Sequence, residues 1–163
     1  MSNGQQQIFF TKLTDVATAA EGAKERLGVI RWDNNKAYKY VQYNPGAGAI
    51  AAVAGRACGY YAAGAVSTGQ GTVVSMDGSD CNALVCAGVL VGIIPNLGYG
   101  WIQIKGQATL TVALTSGGDG QSLCFNSGVD TGTLLVGAAV TNPLGLVHAN
   151  DASASIVDLN CDY

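Results

Sequence analysis

The chain contains one histidine, His148, and Asp151 follows it three residues later. A serine hydrolase needs a histidine base, an acid that orients it and a nucleophilic serine. No serine of the sequence stands in the Gly-x-Ser-x-Gly turn that commonly exposes such a nucleophile. We therefore interpret His148 as a solvated side chain in a polar turn and predict no catalytic triad.

Metal-binding patterns are incomplete. Cys81 and Cys86 form one C-x4-C pair, but a zinc site commonly needs a second pair or two histidines. Asp77 and Asp80, in MDGSDC, resemble the start of a calcium loop, which also needs further oxygen ligands and a terminal glutamate. The sequence favours a simple turn at this point and predicts no metal.

Cofactor and glycosidase patterns are also missing from the sequence. No Gly-Lys-Ser/Thr follows a glycine-rich loop, and no G-x-G-x-x-G opens a helix after a strand. The only glutamates are Glu21 and Glu25, so a glycosidase carboxylate pair would have to come from aspartates in turns. We predict a protein that is not an enzyme, with no cofactor and no small-molecule substrate.

The five cysteines are an odd number, which argues against a fully paired disulfide framework. We expect small buried thiols in a protein made in a reducing compartment, while any individual disulfide stays open. The cysteines are Cys58, Cys81, Cys86, Cys124 and Cys161.

The composition restricts the class of protein. The 163 residues include 23 glycines, and they are 48% hydrophobic but only 12% charged, which excludes disorder and coiled coil. The net charge of −3 argues against nucleic acid as a partner. The longest apolar run, residues 83–94, is too short to cross a bilayer, and MSNGQQQIFFTK lacks the features of a secretory signal, so we expect no membrane partner.

The spacing of apolar residues predicts one all-β domain over residues 27–163. Residues 101–114 alternate between apolar or small and polar side chains, with a bend expected at Gly106. Residues 28–43 read as a hairpin, short strands are expected in the alanine-rich residues 47–65, and turn residues recur about every ten positions afterwards. This pattern predicts a β-sandwich or β-barrel, jelly-roll-like in type.

Residues 1–26 are predicted to form an N-terminal arm. The first eight residues are polar and rich in glutamine. Residues 15–26 show helical spacing interrupted by Gly22, so two interpretations stay open, a short helix or a partly ordered arm.

An interaction surface is the functional feature that the residue types favour. Large aromatics concentrate before residue 44, where basic residues such as Lys39 alternate with them, and seven of the eight lysines and arginines precede residue 57. Aromatic and arginine side chains are enriched in interface hot spots, and the core of an interface is depleted in charge. The candidate partner-binding residues are Phe9, Phe10, Arg26, Arg31 and Trp32.

Several segments resemble small structural proteins of tailed bacteriophages, in particular capsid decoration (cement) proteins. The most specific is LGYGWIQIKGQATL at residues 97–110, and ERLGVIRWDNNKAYKYVQY at residues 25–43, GQSLCF and GTLLVGAAV follow the same order. The resemblance covers about residues 25–150 and contains no catalytic motif.

The resemblance implies a β-domain bound to the outside of an icosahedral phage shell, often as a homotrimer, that ties neighbouring capsomers together. The partners would be the major capsid protein and further copies of this chain, and the location would be the capsid surface after assembly in the bacterial cytoplasm. The arm would then be a strap over the capsid or a neighbouring subunit. A carbohydrate- or receptor-binding module of a phage tail or fibre, using exposed tyrosines, is the alternative.

Overall fold

Strands account for almost all regular structure in the part of the chain that the structure describes. The computed structural model describes residues 8–62, 71–136 and 146–161. Within these ranges there is no α-helix, and therefore no helix that could cross a membrane. The predicted all-β fold class is therefore confirmed. The strands are β1 (Ile30–Asp33), β2 (Lys36–Tyr43), β3 (Ala57–Tyr61), β4 (Val73–Ser75), β5 (Cys81–Leu90), β6 (Tyr99–Thr109), β7 (Ser122–Phe125), β8 (Leu134–Val136), β9 (Leu146–Asp151) and β10 (Ile156–Asn160).

The ten strands pair in the order β1-β2-β4-β3-β5-β6-β10-β9-β7-β8. Strand β2 also pairs with β6, so β2, β4, β3, β5 and β6 close into a ring that resembles a small barrel. Strands β10, β9, β7 and β8 extend the sheet from β6, and β1 is added to the outside of β2. Among the described strands, only β2 and β4 pair in parallel.

The hairpin predicted over residues 28–43 is present as β1 and β2. Asp33 pairs with Lys36 across a two-residue turn, in which Asn34 has a φ of 53°. Asparagine tolerates this left-handed conformation better than most residues, so the local sequence selects the turn.

Strand β6 is the centre of the sheet, because it pairs with β2, β5 and β10. Gly106, where a bend was predicted, has a φ of 87°, and a Cβ there would lie 2.7 Å from the carbonyl oxygen of Asn35. Glycine is therefore required both by the conformation and by the close approach. The strand ends at Thr109, earlier than the alternation to residue 114 predicted.

The core lies between the ring and the strands that extend from it. It contains buried aliphatic and aromatic side chains from both parts, including Tyr43, Ile102, Ile104, Phe125 and Leu134. Small side chains such as Ala57 and Ala87 are fully buried in this core beside the larger ones.

Of the two interpretations left open for residues 15–26, the short helix is wrong. Residues 15–26 form turns instead of a short helix, with Gly22 at a φ of 73° and one backbone bridge between Ala17 and Tyr99. The bridge fixes this segment against β6, which outweighs its helical spacing. The short strands expected in the alanine-rich region are present in part: over its described residues, up to 62, β3 is the one strand, and residues 46–49 form a turn. Residues 1–7 of the predicted arm lie outside the described residues.

Candidate interaction surface around the N-terminal arm

An aromatic platform lies on the outer face of β2 and β6. Tyr40 and Trp101 occupy paired positions on these antiparallel strands, and their rings meet edge to face with centroids 5.1 Å apart. The arm covers both, since the Phe9 ring packs on Trp101 at 5.7 Å and 71°. Edge-to-face contacts are a favoured arrangement of aromatic rings, and Trp101 is fully buried as a result.

Thr11 and Glu25 hold the arm on this platform by hydrogen bonds. The Trp101 indole Nε1 donates to Thr11 Oγ1 at 3.0 Å. Glu25 Oε1 accepts from the backbone nitrogen of Phe10 at 2.6 Å, from that of Thr11 at 2.9 Å and from Thr11 Oγ1 at 3.0 Å. One charged carboxylate oxygen therefore fixes two consecutive backbone amides.

Arg31 connects the arm to β1. Its Nη1 atom donates to the carbonyl oxygen of Thr11 at 2.9 Å, and its guanidinium carbon lies 5.4 Å from the centre of the Phe9 ring. Guanidinium groups at this distance from an aromatic face are attracted to it. Arg31 thus helps to position the arm on its own domain.

The other two carboxylates of the arm also bind the arm's own backbone. Asp15 Oδ2 accepts from the backbone nitrogen of Lys12 at 2.8 Å. Glu21 Oε2 accepts from the backbone nitrogen and hydroxyl of Thr18, both at 2.8 Å, and these bonds lower the pKa of Glu21. The arm is therefore fixed by its acids, and its basic side chains form no ion pair with them within the described ranges.

Large apolar side chains remain outside this fixed backbone. Phe10 is 84% exposed and Ile8 is 76% exposed, although Phe9 between them is half-buried. Phe10 stands between two depressions of about 560 and 360 Å³. The larger runs between residues 9–15 and the side chains of Arg31 and Asp33, and the smaller one reaches Tyr40.

The candidate partner-binding residues are brought together only in part. Phe9, Phe10 and Arg31 lie in one cluster, in which only Phe10 is fully displayed to solvent. Trp32 is next to it on β1 and 57% exposed, with Lys105 Nζ 5.7 Å from its ring centre. Arg26 is exposed but lines a separate depression formed by residues 26–29.

Lys39 and the nearby tyrosines differ from the expectation of a displayed basic and aromatic surface. Lys39 is 3% exposed, and its Nζ donates to Tyr60 Oη at 3.3 Å and to the carbonyl oxygen of Gly71 at 3.2 Å. Burial lowers the pKa of Lys39, because it disfavours the charged form. Tyr40 and Tyr43 are buried too, on opposite faces of β2: Tyr40 packs on Trp101 next to the arm, and Tyr43 lies in the hydrophobic core.

His148 lies on strand β9, so its predicted placement in a polar turn is wrong. It is exposed, and Ser122 Oγ is 3.5 Å from its Nδ1 atom. Asp151 instead accepts from Ser153 Oγ at 2.6 Å and from the backbone nitrogen of Ala154 at 3.1 Å. These three groups form no relay of serine, histidine and acid.

Asp77 is the first residue of a tight turn, as its sequence indicated. Its Oδ1 accepts from Ser79 Oγ at 2.7 Å and from the backbone nitrogen of Ser79 at 3.2 Å, and its Oδ2 accepts from that of Gly48 at 2.8 Å. Burial alone would raise the pKa of Asp77, but these hydrogen bonds outweigh burial and lower it. Over residues 8–62, 71–136 and 146–161, no group of three potential metal ligands is close enough to hold an ion.

All five cysteines are buried, and Cys58, Cys81, Cys86 and Cys124 are free thiols. Burial raises the pKa of Cys58 and raises that of Cys81 to about 12. Thiols of raised pKa carry little thiolate, so they are poor nucleophiles and poor metal ligands. They behave as small apolar side chains of the core.

Three residues that organise the arm were missed from the sequence: Thr11, Glu25 and Trp101. One feature of the sequence could have indicated the role of Glu25. The chain is poor in charged residues, yet both of its glutamates, Glu21 and Glu25, precede the first strand. Acids in such an irregular segment are good acceptors for backbone amides, which would otherwise lack partners.

No known protein family matches the sequence, no curated protein is similar to it, and no solved structure matches the fold.

Proposed function

We propose that this chain is a non-enzymatic structural protein of a phage virion, a capsid decoration protein that binds the outside of the shell through its arm side. The partners in this proposal are the major capsid protein and further copies of the chain, in a homotrimer. The chain then resides on the capsid surface after assembly in the host cytoplasm.

The display of Phe10 on a fixed backbone is the observation that carries the proposal. Glu25 holds the backbone nitrogen of Phe10 at 2.6 Å, yet the ring itself is 84% exposed. A large apolar ring in this position costs free energy in water, and a fixed one loses little further conformational entropy when a partner covers it. Such pre-organised aromatic anchors are typical of interface hot spots.

Binding to the assembled lattice provides the mechanism. A protein that binds the mature shell, and binds free capsid subunits less well, stabilises that shell by mass action. Apolar contacts from residues such as Ile8, Phe10 and Trp32 would bridge neighbouring capsomers without any catalytic step.

The carbohydrate-binding alternative has weaker support. It relied on exposed tyrosines, but Tyr40, Tyr43 and Tyr60 are buried, and none of the tyrosines in the described ranges is fully exposed. Stacking on sugars would need displayed rings, of which Phe10 and Trp32 are the examples here.

Co-sedimentation with empty shells made from the major capsid protein of the same phage tests the proposal. We expect Phe10→Ala to weaken binding at least about tenfold while shifting the melting temperature by less than about 2 °C. Phe9→Ala is the matched control, because the Phe9 ring packs on Trp101 within the protein. We expect its loss to lower the free energy of unfolding by about 1–2 kcal/mol, in contrast to the small change expected for Phe10→Ala.

Two outcomes of this experiment contradict the proposal. The first is that the wild-type protein fails to sediment with shells, and the second is that Phe10→Ala binds like the wild type. Deleting residues 1–12 is a less selective test, because it also removes the cover of Trp101 and two of the amides that Glu25 holds.

A further inference from the structure

Strand β1 has an open edge. It is the first strand in the sheet order, and among the strands that the structure describes it pairs only with β2. Asp33 and Lys36 flank the two-residue turn, where the first pair of a hairpin is hydrogen-bonded. Because hydrogen-bonded and non-hydrogen-bonded pairs alternate in antiparallel strands, the next hydrogen-bonded pair is Arg31 with Tyr38. The next such pair is visible, as the backbone nitrogen of Tyr40 donates to the carbonyl oxygen of Val29 at 3.0 Å.

The alternation leaves the backbone groups of Ile30 and Trp32 directed away from β2. No other described segment contributes a hydrogen bond to the N–H or C=O group of either residue. Two donors and two acceptors, spaced as in a strand, therefore face outwards at this edge. This is the arrangement to which an additional extended segment can bind.

The surroundings of the edge are suited to a side chain of a partner. Trp32 is 57% exposed at the edge, and Lys105 Nζ lies 5.7 Å from its ring centre, with no ion pair to any residue of the ranges 8–62, 71–136 and 146–161. On the opposite face of β1, the depression of about 560 Å³ passes Arg31 and Asp33. The open backbone thus lies between the Lys105 cation with the exposed Trp32 indole on one face and a concave surface on the other.

We infer that β1 accepts an extended segment of the capsid protein as an added strand, with an apolar side chain on Trp32 and a carboxylate near Lys105. This inference rests on the proposed function and adds to it the mode of binding. Main-chain hydrogen bonds to Ile30 and Trp32 provide affinity, and the contacts of Trp32 and Lys105 provide selectivity. The opposite face, with Arg31, keeps the arm in place.

A proline substitution distinguishes the contribution of the backbone to binding at this edge from that of the side chain. In Trp32→Pro the outward N–H group is lost, whereas the bonds of Arg31 and Asp33 to β2 are retained, because proline is tolerated at edge strands when its nitrogen faces outwards. Trp32→Val is the matched control, since it removes the indole but keeps the N–H group. We expect Trp32→Pro to bind empty shells about tenfold more weakly than Trp32→Val.

Hydrogen exchange on the wild-type protein provides the second measurement and needs no variant. The amides of Ile30 and Trp32 should exchange quickly in the free protein and become protected at least about tenfold when it is bound to shells. The amide of Arg31, bonded to β2, should be protected in both states.

The outcomes distinguish this inference from the proposed function. Strand addition is overturned if the wild type binds shells but the amides of Ile30 and Trp32 gain no protection and the two variants bind equally well. The proposed function is then still supported. Absence of shell binding overturns both. If Trp32→Pro instead dissolves an oligomer of the isolated protein, the added strand comes from a second copy, and addition of a capsid segment is overturned.

Discussion

Two irregular segments of this chain are fixed by carboxylates, and they differ in what they leave at the surface. At the turn that begins with Asp77, the carboxylate is buried and receives hydrogen bonds from Gly48 and Ser79. In the arm, Glu25 is only half-buried and holds the amides of Phe10 and Thr11, while the Phe10 ring faces solvent.

The two carboxylates therefore differ in their main effect: Asp77 stabilises the fold, and Glu25 positions an exposed side chain. A buried acceptor for several amides removes polar groups from the interior and contributes mainly to stability. A partly exposed acceptor that fixes the backbone below an exposed ring contributes less to stability and more to the placement of that ring. Substitutions in the two segments should therefore separate folding from binding.

The largest effect is expected at Asp77. Asp77→Ala leaves the amides of Gly48 and Ser79 without their acceptor, and we expect a loss of about 2–4 kcal/mol in the free energy of unfolding, measured with urea. Asp80→Ala is the control, because within the described residues the Asp80 carboxylate accepts only from the exposed backbone nitrogen of Ala47, and the variant should lose about 1 kcal/mol. Equal losses in the two variants would contradict a special role of the buried turn.

The same residue gives a pH dependence with a definite sign. The pKa of Asp77 is lowered in the folded protein, so its carboxylate stabilises the fold above the ordinary aspartate pKa of about 4. This contribution should be lost as the pH falls below that value. The stability difference between the wild type and Asp77→Ala should therefore narrow in acid.

A smaller loss of stability is expected at Glu25. Glu25→Gln keeps the shape but removes the charge from the acceptor of the Phe10 and Thr11 amides, which should cost about 1 kcal/mol. Binding to shells should fall several-fold, because the backbone below Phe10 becomes less fixed. Glu21→Gln, in the neighbouring loop, should leave shell binding unchanged; a comparable loss there would show that charge alone explains the result.

The smallest effect is expected at Thr11. Thr11→Val removes the acceptor of the Trp101 indole and one donor to Glu25, at a cost of about 0.5 kcal/mol, since both hydrogen bonds are only partly buried. The fluorescence of Trp101, recorded with Trp32→Phe in the background, should shift because its indole loses a hydrogen bond. Unchanged emission would mean that the arm does not cover Trp101 in solution.

Much of the fold could be predicted from local patterns, but the arrangement of the arm could not. The hairpin at Asn34, the bend at Gly106 and the turn at Asp77 follow from short-range preferences of those residues. The position of Phe9 on Trp101 depends on a contact between residues 92 positions apart, which no local pattern specifies. For the same reason, the adjacent residues Phe9 and Phe10 looked equivalent in the sequence.

The sequence by itself determined the all-β class, because period-two alternation and frequent turn residues suit strands and little else. It also determined a largely apolar and weakly charged chain, with only 12% charged residues and a single histidine. Only the tertiary structure decided that Lys39 is buried, that Phe10 is displayed and that β1 is an open edge. These properties depend on which strands are neighbours in the sheet, and that choice is made by packing between residues distant in the chain.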